Sequence, residues 1–470
     1  MNAVTNDLPV RFAALRERST ALATSTAAER ADRLRRLNAA VLANRKRFYE
    51  AAWEELRACD LDVAAQLVMI KSEADFAVKH VARWMRPRRV RNSAATLGKK
   101  CYVLHEPKGV VLNLSTWNAP VCIGIVPAIA AIAAGNAFAL KPSELAPHSA
   151  MVLREVIEAE FPPEEFAVFE GGADVAQALL ALPFDHVYYT GGQRVGRLVM
   201  KAAAEHFAGV TLEMGGKNPA IVDASAAVDN AALKIAWGRA ANAGQVCVAP
   251  DYALVHESRH DEFVAALGAA FRRMYDAEGH GFEQSKELLR IVNDAHFTRV
   301  QGLLDDARTR GARVAVGGET HAADRYVAPT VLTSVTEDMR VMQEEIFAPI
   351  LPVIAWHDRA EAVEIVRRRS KPLALYVYAK DRAAIDWFLA HTSAGSTVVN
   401  HNLIQSGTNP RLPFGGVGPS GAGRIGGEAG FREFSNPRSV VEQPLGLLDT
   451  TFNFPPYSKT YRKLIEKALG

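Results

Sequence analysis

Apolar residues recur at helical spacing through the first part of the chain, to about Trp84. Leu34, Leu37, Val41 and Leu42 fall on one stripe, and arginine and glutamate fill the other faces, which predicts helices packed on a core. From Gly109 the pattern changes. Short apolar runs of strand length (Val110–Leu114, Ala137–Lys141, Phe166–Phe169, His186–Thr190 and Val210–Glu213) alternate with helical stretches. This alternation predicts a parallel, doubly wound α/β sheet with helices on both faces. After Glu213 a second α/β unit is predicted from Ala220–Val222, Tyr252–Val255, Arg313–Val316, Tyr326–Leu332, Ile350–Ile354, Leu373–Tyr378 and Ser396–Asn400. Between the N-terminal helices and the first unit, Arg86–Arg91 reads as a solvated basic loop and Lys99–Leu104 as a strand. Leu412–Gly423 is glycine-rich and reads as a loop, Arg438–Gln443 as an extended arm, and Phe454–Gly470 as a polar helical tail.

Ala119–Leu140 has Asn136 as its only polar side chain and is long enough to suggest a membrane span. Pro120, Gly124, Pro127 and the Gly135-Asn136 pair interrupt it. A buried helix over Val121–Ala134 followed by the strand Ala137–Lys141 accounts for it better. At 470 residues the chain exceeds one ordinary core and predicts roughly two or three domains. Apolar residues make up 49% and charged residues 23%, with a net charge of +3, a soluble globular composition. The small basic excess, with no basic run interleaved with aromatics, points away from nucleic acid. The basic loop Arg86–Arg91 has binding of a polyanion as its sharper reading. Four cysteines (Cys59, Cys101, Cys122, Cys247) make no disulfide framework and fit a reducing compartment. Asp7, Arg11, Arg16, Glu17 and Arg18 leave no apolar signal-peptide core, so a cytoplasmic protein without a membrane segment is expected. No His/Cys/Asp cluster has metal-ligand spacing.

Among candidate chemical groups, Cys247 in Asn242-Ala243-Gly244-Gln245-Val246-Cys247-Val248-Ala249-Pro250 follows a Gly-Gln turn after the helical segment Ala231–Ala241. Alone, it could be a small core hydrophobe or a nucleophile. Gly191-Gly192-Gln193-Arg194-Val195-Gly196 is a loose glycine turn opening a helix, whose free N–H groups can approach a pyrophosphate or simply start the helix. No GxGxxG follows the first strand. Lys141-Pro142-Ser143-Glu144 ends the second strand, where a lysine and an acid suit the hydroxyls of a ribose, or form a surface pair.

Five motifs in order carry a family resemblance. They are Thr116-Trp117-Asn118-Ala119-Pro120, Leu212-Glu213-Met214-Gly215-Gly216-Lys217-Asn218-Pro219, the Cys247 segment, Glu344-Glu345-Ile346-Phe347-Ala348-Pro349, and Leu412-Pro413-Phe414-Gly415-Gly416-Val417-Gly418. Together they resemble the aldehyde dehydrogenase superfamily, from about Arg30 to Pro456. Ile235-Ala236-Trp237-Gly238 and Cys247–Tyr252 look most like its class 3 branch of fatty, benzaldehyde-type and coniferyl aldehyde dehydrogenases.

The resemblance implies a doubly wound cofactor domain (1–98 and 113–212), an α/β catalytic domain (213–423) and a small bridging or oligomerisation sheet (99–112 and 436–470). It implies Cys247 as nucleophile, Asn118 with the Cys247 backbone N–H as oxyanion hole, and Glu213 as the base that activates water. The alternative for Glu213 is a strand-end acid paired with Lys217. Thr116, Trp117, Lys141, Ser143, Glu144, Gly191, Gly192, Val195, Glu345 and Phe347 are the implied contacts of NAD or NADP. Gly192 replaces the serine usual in the family. Glu144 disfavours a 2′-phosphate and tilts the expectation to NAD. Ala119, Trp237, His401 and Phe414 are the implied substrate pocket. Ala119 and Ile425-Gly426 stand where larger residues are common, so an aromatic or otherwise bulky aldehyde is expected. The resemblance also implies a homodimer. The CoA-acylating and non-catalytic structural branches of the same fold remain as alternatives.

Overall fold

The computed structural model describes residues 7–405, 407–445 and 453–470. The helices Leu8–Ala23, Ala27–Ala43, Arg45–Leu56 and Asp60–Trp84 come first. The second starts on a reciprocal cap: Glu29 N–H donates to the Thr26 hydroxyl, and Thr26 N–H donates to the Glu29 carboxylate at 2.7 Å. Leu34, Leu37 and Val41 are buried as their stripe predicts, whereas Leu42 is only half-buried. Arg30, also buried, donates to the carbonyls of Ala133 (3.1 Å) and Ala134 (2.6 Å). It thereby satisfies orphan acceptors at the end of the helix Pro120–Ala134.

The strands in chain order begin with β1 (Arg88–Arg89), β2 (Lys100–Pro107), β3 (Val110–Leu114), β4 (Ala137–Lys141), β5 (Phe166–Val168), β6 (His186–Gly191) and β7 (Gly209–Met214). They continue with β8 (Pro219–Val222), β9 (Tyr252–His256), β10 (Arg313–Val316), β11 (Thr320–His321), β12 (Tyr326–Val327) and β13 (Thr330–Thr333). The last are β14 (Ile350–Trp356), β15 (Ala374–Tyr378), β16 (Ser396–Val399), β17 (Gly421–Ala422) and β18 (Ser435–Glu442). Among the described residues a six-stranded sheet has the order β17-β7-β6-β3-β4-β5, parallel except for β17. A seven-stranded sheet has the order β10-β13-β14-β9-β8-β15-β16, parallel except for β10. A three-stranded sheet joins β1, β2 and β18.

Several expectations shift. Arg88 and Arg89 are not loop but a short strand opposite Val103 and Tyr102, because Val90 N–H and the β2 backbone complete the pairing. Tyr326–Leu332 is two strands rather than one. Pro329 has no N–H to give a ladder, so β12 pairs with β11 in a ribbon and β13 joins the large sheet. The boundary drawn at residue 112 cuts through β3, which is buried and paired on both sides within the six-stranded sheet. Gly421–Ala422, placed with the second domain, pair with Leu212 and Glu213 of the first sheet. The tail is helical over Lys459–Leu469, and residues 446–452 of the implied C-terminal bridging segment lie outside the described residues. The apolar stretch after Ala119 is the buried helix Pro120–Ala134 followed by β4, and no described helix is long and apolar enough to cross a membrane.

Candidate active site

The order of the six-stranded sheet locates a crevice. From β3 the chain steps outward to β4 and β5, then returns to β6 and β7 on the other side. The carboxyl ends of β3 and β6 therefore diverge, which is where doubly wound sheets bind ligands. The second sheet meets this edge with the amino-terminal ends of its strands: Asn218 precedes β8, Cys247 precedes β9, and Glu345 and Phe347 precede β14. Two hollows lie between the edges, a groove of about 650 Å³ and an apolar chamber of about 250 Å³. Among the described residues they share Asn118, Thr190, Glu213 and Cys247.

Cys247 reaches this junction on a strained loop. Asn242, Ala243 and Gly244 are consecutive left-handed residues (φ +52°, +51° and +73°), costly for the two with side chains. A Cβ on Gly244 would lie 2.4 Å from the Ala348 backbone, so only glycine lets the two loops touch. Polar clamps hold the conformation. Asn242 Nδ2 donates to Asn118 O (2.8 Å), Gln245 Nε2 donates to Arg290 O (3.0 Å), and Gln245 Oε1 accepts from Val292 N–H (3.0 Å). Asn218 Nδ2 donates to Cys247 O (2.8 Å) and Ala249 O (3.1 Å). Arg239, the nearest preceding cation in sequence, is a buried brace bound to Gly244 O, Pro250 O and Asp251, not a partner of the thiol. All four cysteines are free.

Glu213, in β7, is buried, and neither carboxylate oxygen has a hydrogen-bond partner among the described residues. Its proposed mate Lys217 bonds Asp251 instead, at 2.5 Å, so the salt-bridge alternative does not hold. Burial pushes the Glu213 carboxyl up to about 8, against the attraction of Arg424. Such a group can take a proton near neutral pH. Burial, with the Glu213 and Glu345 carboxylates, pushes the Cys247 thiol up to about 12, while the N–H groups of Cys247 and Val248 favour its thiolate. Asn118 Nδ2 donates to Gln245 O at 2.9 Å, leaving its second amide hydrogen without a partner.

The groove is lined by six of the implied cofactor contacts, Thr116, Trp117, Gly191, Gly192, Glu345 and Phe347. Trp117 meets Phe347 edge-to-face at 5.7 Å, and Glu345 accepts from Gly216 N–H at 3.2 Å. Burial, first, and Asp251 push the Glu345 carboxyl up to about 8. Lys141, Ser143, Glu144 and Val195 do not line the groove. Lys141 sits one strand further out, its amine on Glu144 at 2.7 Å; the Ser143 hydroxyl accepts from Leu145 N–H; Val195 is exposed on its helix. A dinucleotide fits this groove. The helix Gln193–Glu205 begins at Gly192 without a side-chain cap, a Cβ at Gly192 would meet only open space, and Arg194 and Arg299 add positive charge.

The chamber is lined by Ala119 and Phe414, but not by Trp237 or His401. Those two meet edge-to-face at 6.1 Å, and Trp237 is 40% exposed because it falls on the outer face of the helix Val228–Ala240. Thr190 and Tyr188 of β6, Gln66, Met69 and Glu73 of the helix Asp60–Trp84, and Cys122 escaped the sequence reading. The i, i+3, i+7 spacing of Gln66, Met69 and Glu73 was the only signal for that wall. Leu412 and Phe414 also face the chamber, and the loop continues to β17, whose Gly421 lies opposite Glu213.

Comparison with known proteins gives a consistent result. The sequence pattern of the aldehyde dehydrogenase family matches residues 4–440. Aldehyde dehydrogenase family 3 member B3 of Mus musculus is 39% identical over 449 residues, covering 95% of this chain and 92% of its own. The dimeric NADP-preferring aldehyde dehydrogenase of Canis lupus familiaris is 40% identical over 380 residues, covering 81% and 82%. A solved structure of Staphylococcus aureus AldH in its substrate-bound state superposes with a TM-score of 0.93 at 36% identity, covering 100% of both chains.

Proposed function

The chain belongs to the aldehyde dehydrogenase family, whose members oxidise aldehydes to acids, and from that premise we propose how its residues do so. A bare carbonyl has no alkoxide to expel hydride. Glu213 takes the Cys247 proton, and the sulfur attacks the carbonyl carbon, forming a C–S bond and a negatively charged oxygen. The free amide N–H of Asn118 and the backbone N–H of Cys247 receive that charge; one such donor is worth roughly 3–4 kcal/mol in the transition state. Collapse of the alkoxide breaks the C–H bond and leaves a thioester on Cys247. A nicotinamide dinucleotide in the groove, against Thr116, Trp117, Gly191, Gly192, Glu345 and Phe347, supplies the hydride acceptor when bound. Glu213, having passed its first proton to solvent, takes another from water as that water attacks the thioester carbon. The C–S bond breaks, releasing the acid and the thiolate. In sum, aldehyde, water and oxidised cofactor give acid, reduced cofactor and a proton.

The observation that carries this reading is the junction: a thiol, a buried carboxyl without partners and an amide with a free N–H line the one passage shared by both hollows. We assign the helices before β1, residues 110–214 and β17 to the cofactor domain, the rest of 215–423 to the catalytic domain, and β1, β2 and β18 to the bridging sheet. The exposed outer strand β18 suits a homodimer contact. Glu144, paired with Lys141 and off the groove, gives no selection against a 2′-phosphate, and the NADP-preferring relative supports use of NADP as well as NAD. The small Ala119 and Gly426 in an apolar wall support aromatic or bulky aldehydes.

The test is nicotinamide absorbance with NAD or NADP and a panel of aliphatic and aromatic aldehydes, beside Cys247→Ala. Reduction that the substitution abolishes supports the reading. Reduction only when CoA is added would reassign the chain to the acylating branch.

A further inference from the structure

The chamber wall is apolar around Val126, Leu403 and Ile425, but one side is not. There the helix Asp60–Trp84 presents Glu73, which is 5% exposed. One carboxylate oxygen, Oε1, accepts the N–H of Gly427 at the start of the helix Gly427–Glu433. The other oxygen has no hydrogen-bond partner among the described residues, and no lysine, arginine or histidine there pairs with the group. Burial pushes this carboxyl up to about 7. Starting a helix needs one acceptor, and a neutral serine or asparagine would supply it without burying a charge. The second oxygen and the ionisable group are therefore not explained by the contact with Gly427. Glu73 lines the chamber and not the groove, so it is not among the residues the two hollows share.

We propose that Glu73 is a specificity-determining residue that accepts a hydrogen bond from a hydroxyl at the far end of the aldehyde, so that the preferred substrates have an apolar body ending in a hydroxyl. The proposal rests on the aldehyde-oxidising reading of Cys247. A hydroxyl fits better than an ammonium. One free oxygen matches one O–H, whereas an ammonium would leave N–H groups unpaired against Met69 and Val126.

The test compares kcat/KM for benzaldehydes and cinnamaldehydes carrying a 4-hydroxyl, 4-methoxy or 4-methyl group, in the wild type and in Glu73→Gln. Glutamine keeps an oxygen for Gly427 and turns an N–H₂ group to the chamber. Taking the hydroxyl-to-methoxy ratio in each protein and comparing the two cancels intrinsic aldehyde reactivity. That ratio should fall about tenfold in Glu73→Gln in at least one series, with the methyl compound changed less than about twofold. An unchanged ratio in both series overturns the proposal. Calorimetric binding of the unreactive 4-hydroxybenzyl and 4-methoxybenzyl alcohols separates the two layers. If no aldehyde is oxidised, the reading of Cys247 fails. A binding preference that Glu73→Gln reverses would still support the recognition role, and equal binding in both proteins would overturn it.

Discussion

Glu213 and Cys247 line the same junction, where burial outweighs the attraction of Arg424 for the carboxyl, and this governs when each can react. A carboxyl pushed up to about 8 is a minor base at neutral pH and mostly ionised only above about 8. Where deacylation limits turnover, kcat should therefore rise with pH and level off above about 8. Glu213→Gln should remove that limb, lower kcat by roughly 10²–10⁴-fold and also slow the first turnover, read as a burst of reduced cofactor, since the same carboxylate takes the Cys247 proton. For the thiol, pushed up to about 12, iodoacetamide labelling of the protein without cofactor should be slow at pH 7 and keep rising past pH 9 without a plateau. Subtracting the labelling of Cys247→Ala isolates that thiol, and a plateau near pH 8 would contradict the burial argument. These residues were legible in the sequence because their neighbours are fixed in type: a glycine pair after the acid, a Gly-Gln turn before the thiol, and a proline after the asparagine. Trp237 was misplaced because a helical position does not disclose which face is buried, and the face holding Ala231, Ile235 and Arg239 took the core. Glu73 was not legible because nothing local to an N-terminal helix announces a hollow shared with Ile425 and Phe414.

At the scale of elements, the site depends on two backbone approaches that no side chain could replace. Gly421 has φ +146°, and a Cβ there would lie 2.2 Å from Leu212 O, on the strand that carries Glu213. Gly421→Ala should detach β17 from β7. The expected result is a loss of activity larger than tenfold with only a few degrees off Tm, read by parallel kinetic and thermal assays, because the loop adds little core. Equal activity would show that β17 does not position the base. The left-handed run at Asn242 and Ala243 gives the opposite expectation: Ala243→Gly relieves a residue in a costly conformation and should be neutral to stabilising by up to about 1 kcal/mol in denaturant melts. Periodicity revealed most strands. What it missed were places where pairing outweighs composition, as in the arginine strand β1, and where a single proline interrupts an apolar run, as at Pro329.

For the whole molecule, five carboxyls sit above their ordinary range, each chiefly through burial: Glu55 and Asp62 are raised, Glu73 stands at about 7, and Glu213 and Glu345 at about 8. Each stays protonated in the folded chain at pH values where the unfolded chain has released its proton. The folded state then binds more protons, so stability from these groups is full below about pH 4.5 and is lost as pH rises through 7 to 8. Tm of the protein without cofactor should therefore fall between pH 6 and 9. In a Glu213→Gln, Glu345→Gln double variant the fall should be shallower, with the curves closest at the acid end. A parallel slope would mean that other groups set it. The two sheets were legible in outline from the two alternating patterns, but the contact of one sheet's carboxyl edge with the other's amino edge was not, since it depends on how the sheets dock.

That docking leaves groove and chamber with four described residues in common, Asn118, Thr190, Glu213 and Cys247. Every other described lining residue belongs to one hollow or the other, so on the proposed reading what holds the cofactor is otherwise separate from what holds the aldehyde. The two ligand preferences are thus written on different surfaces and can drift independently through descent, each free to explore new partners while the chemistry in the doorway stays as it is.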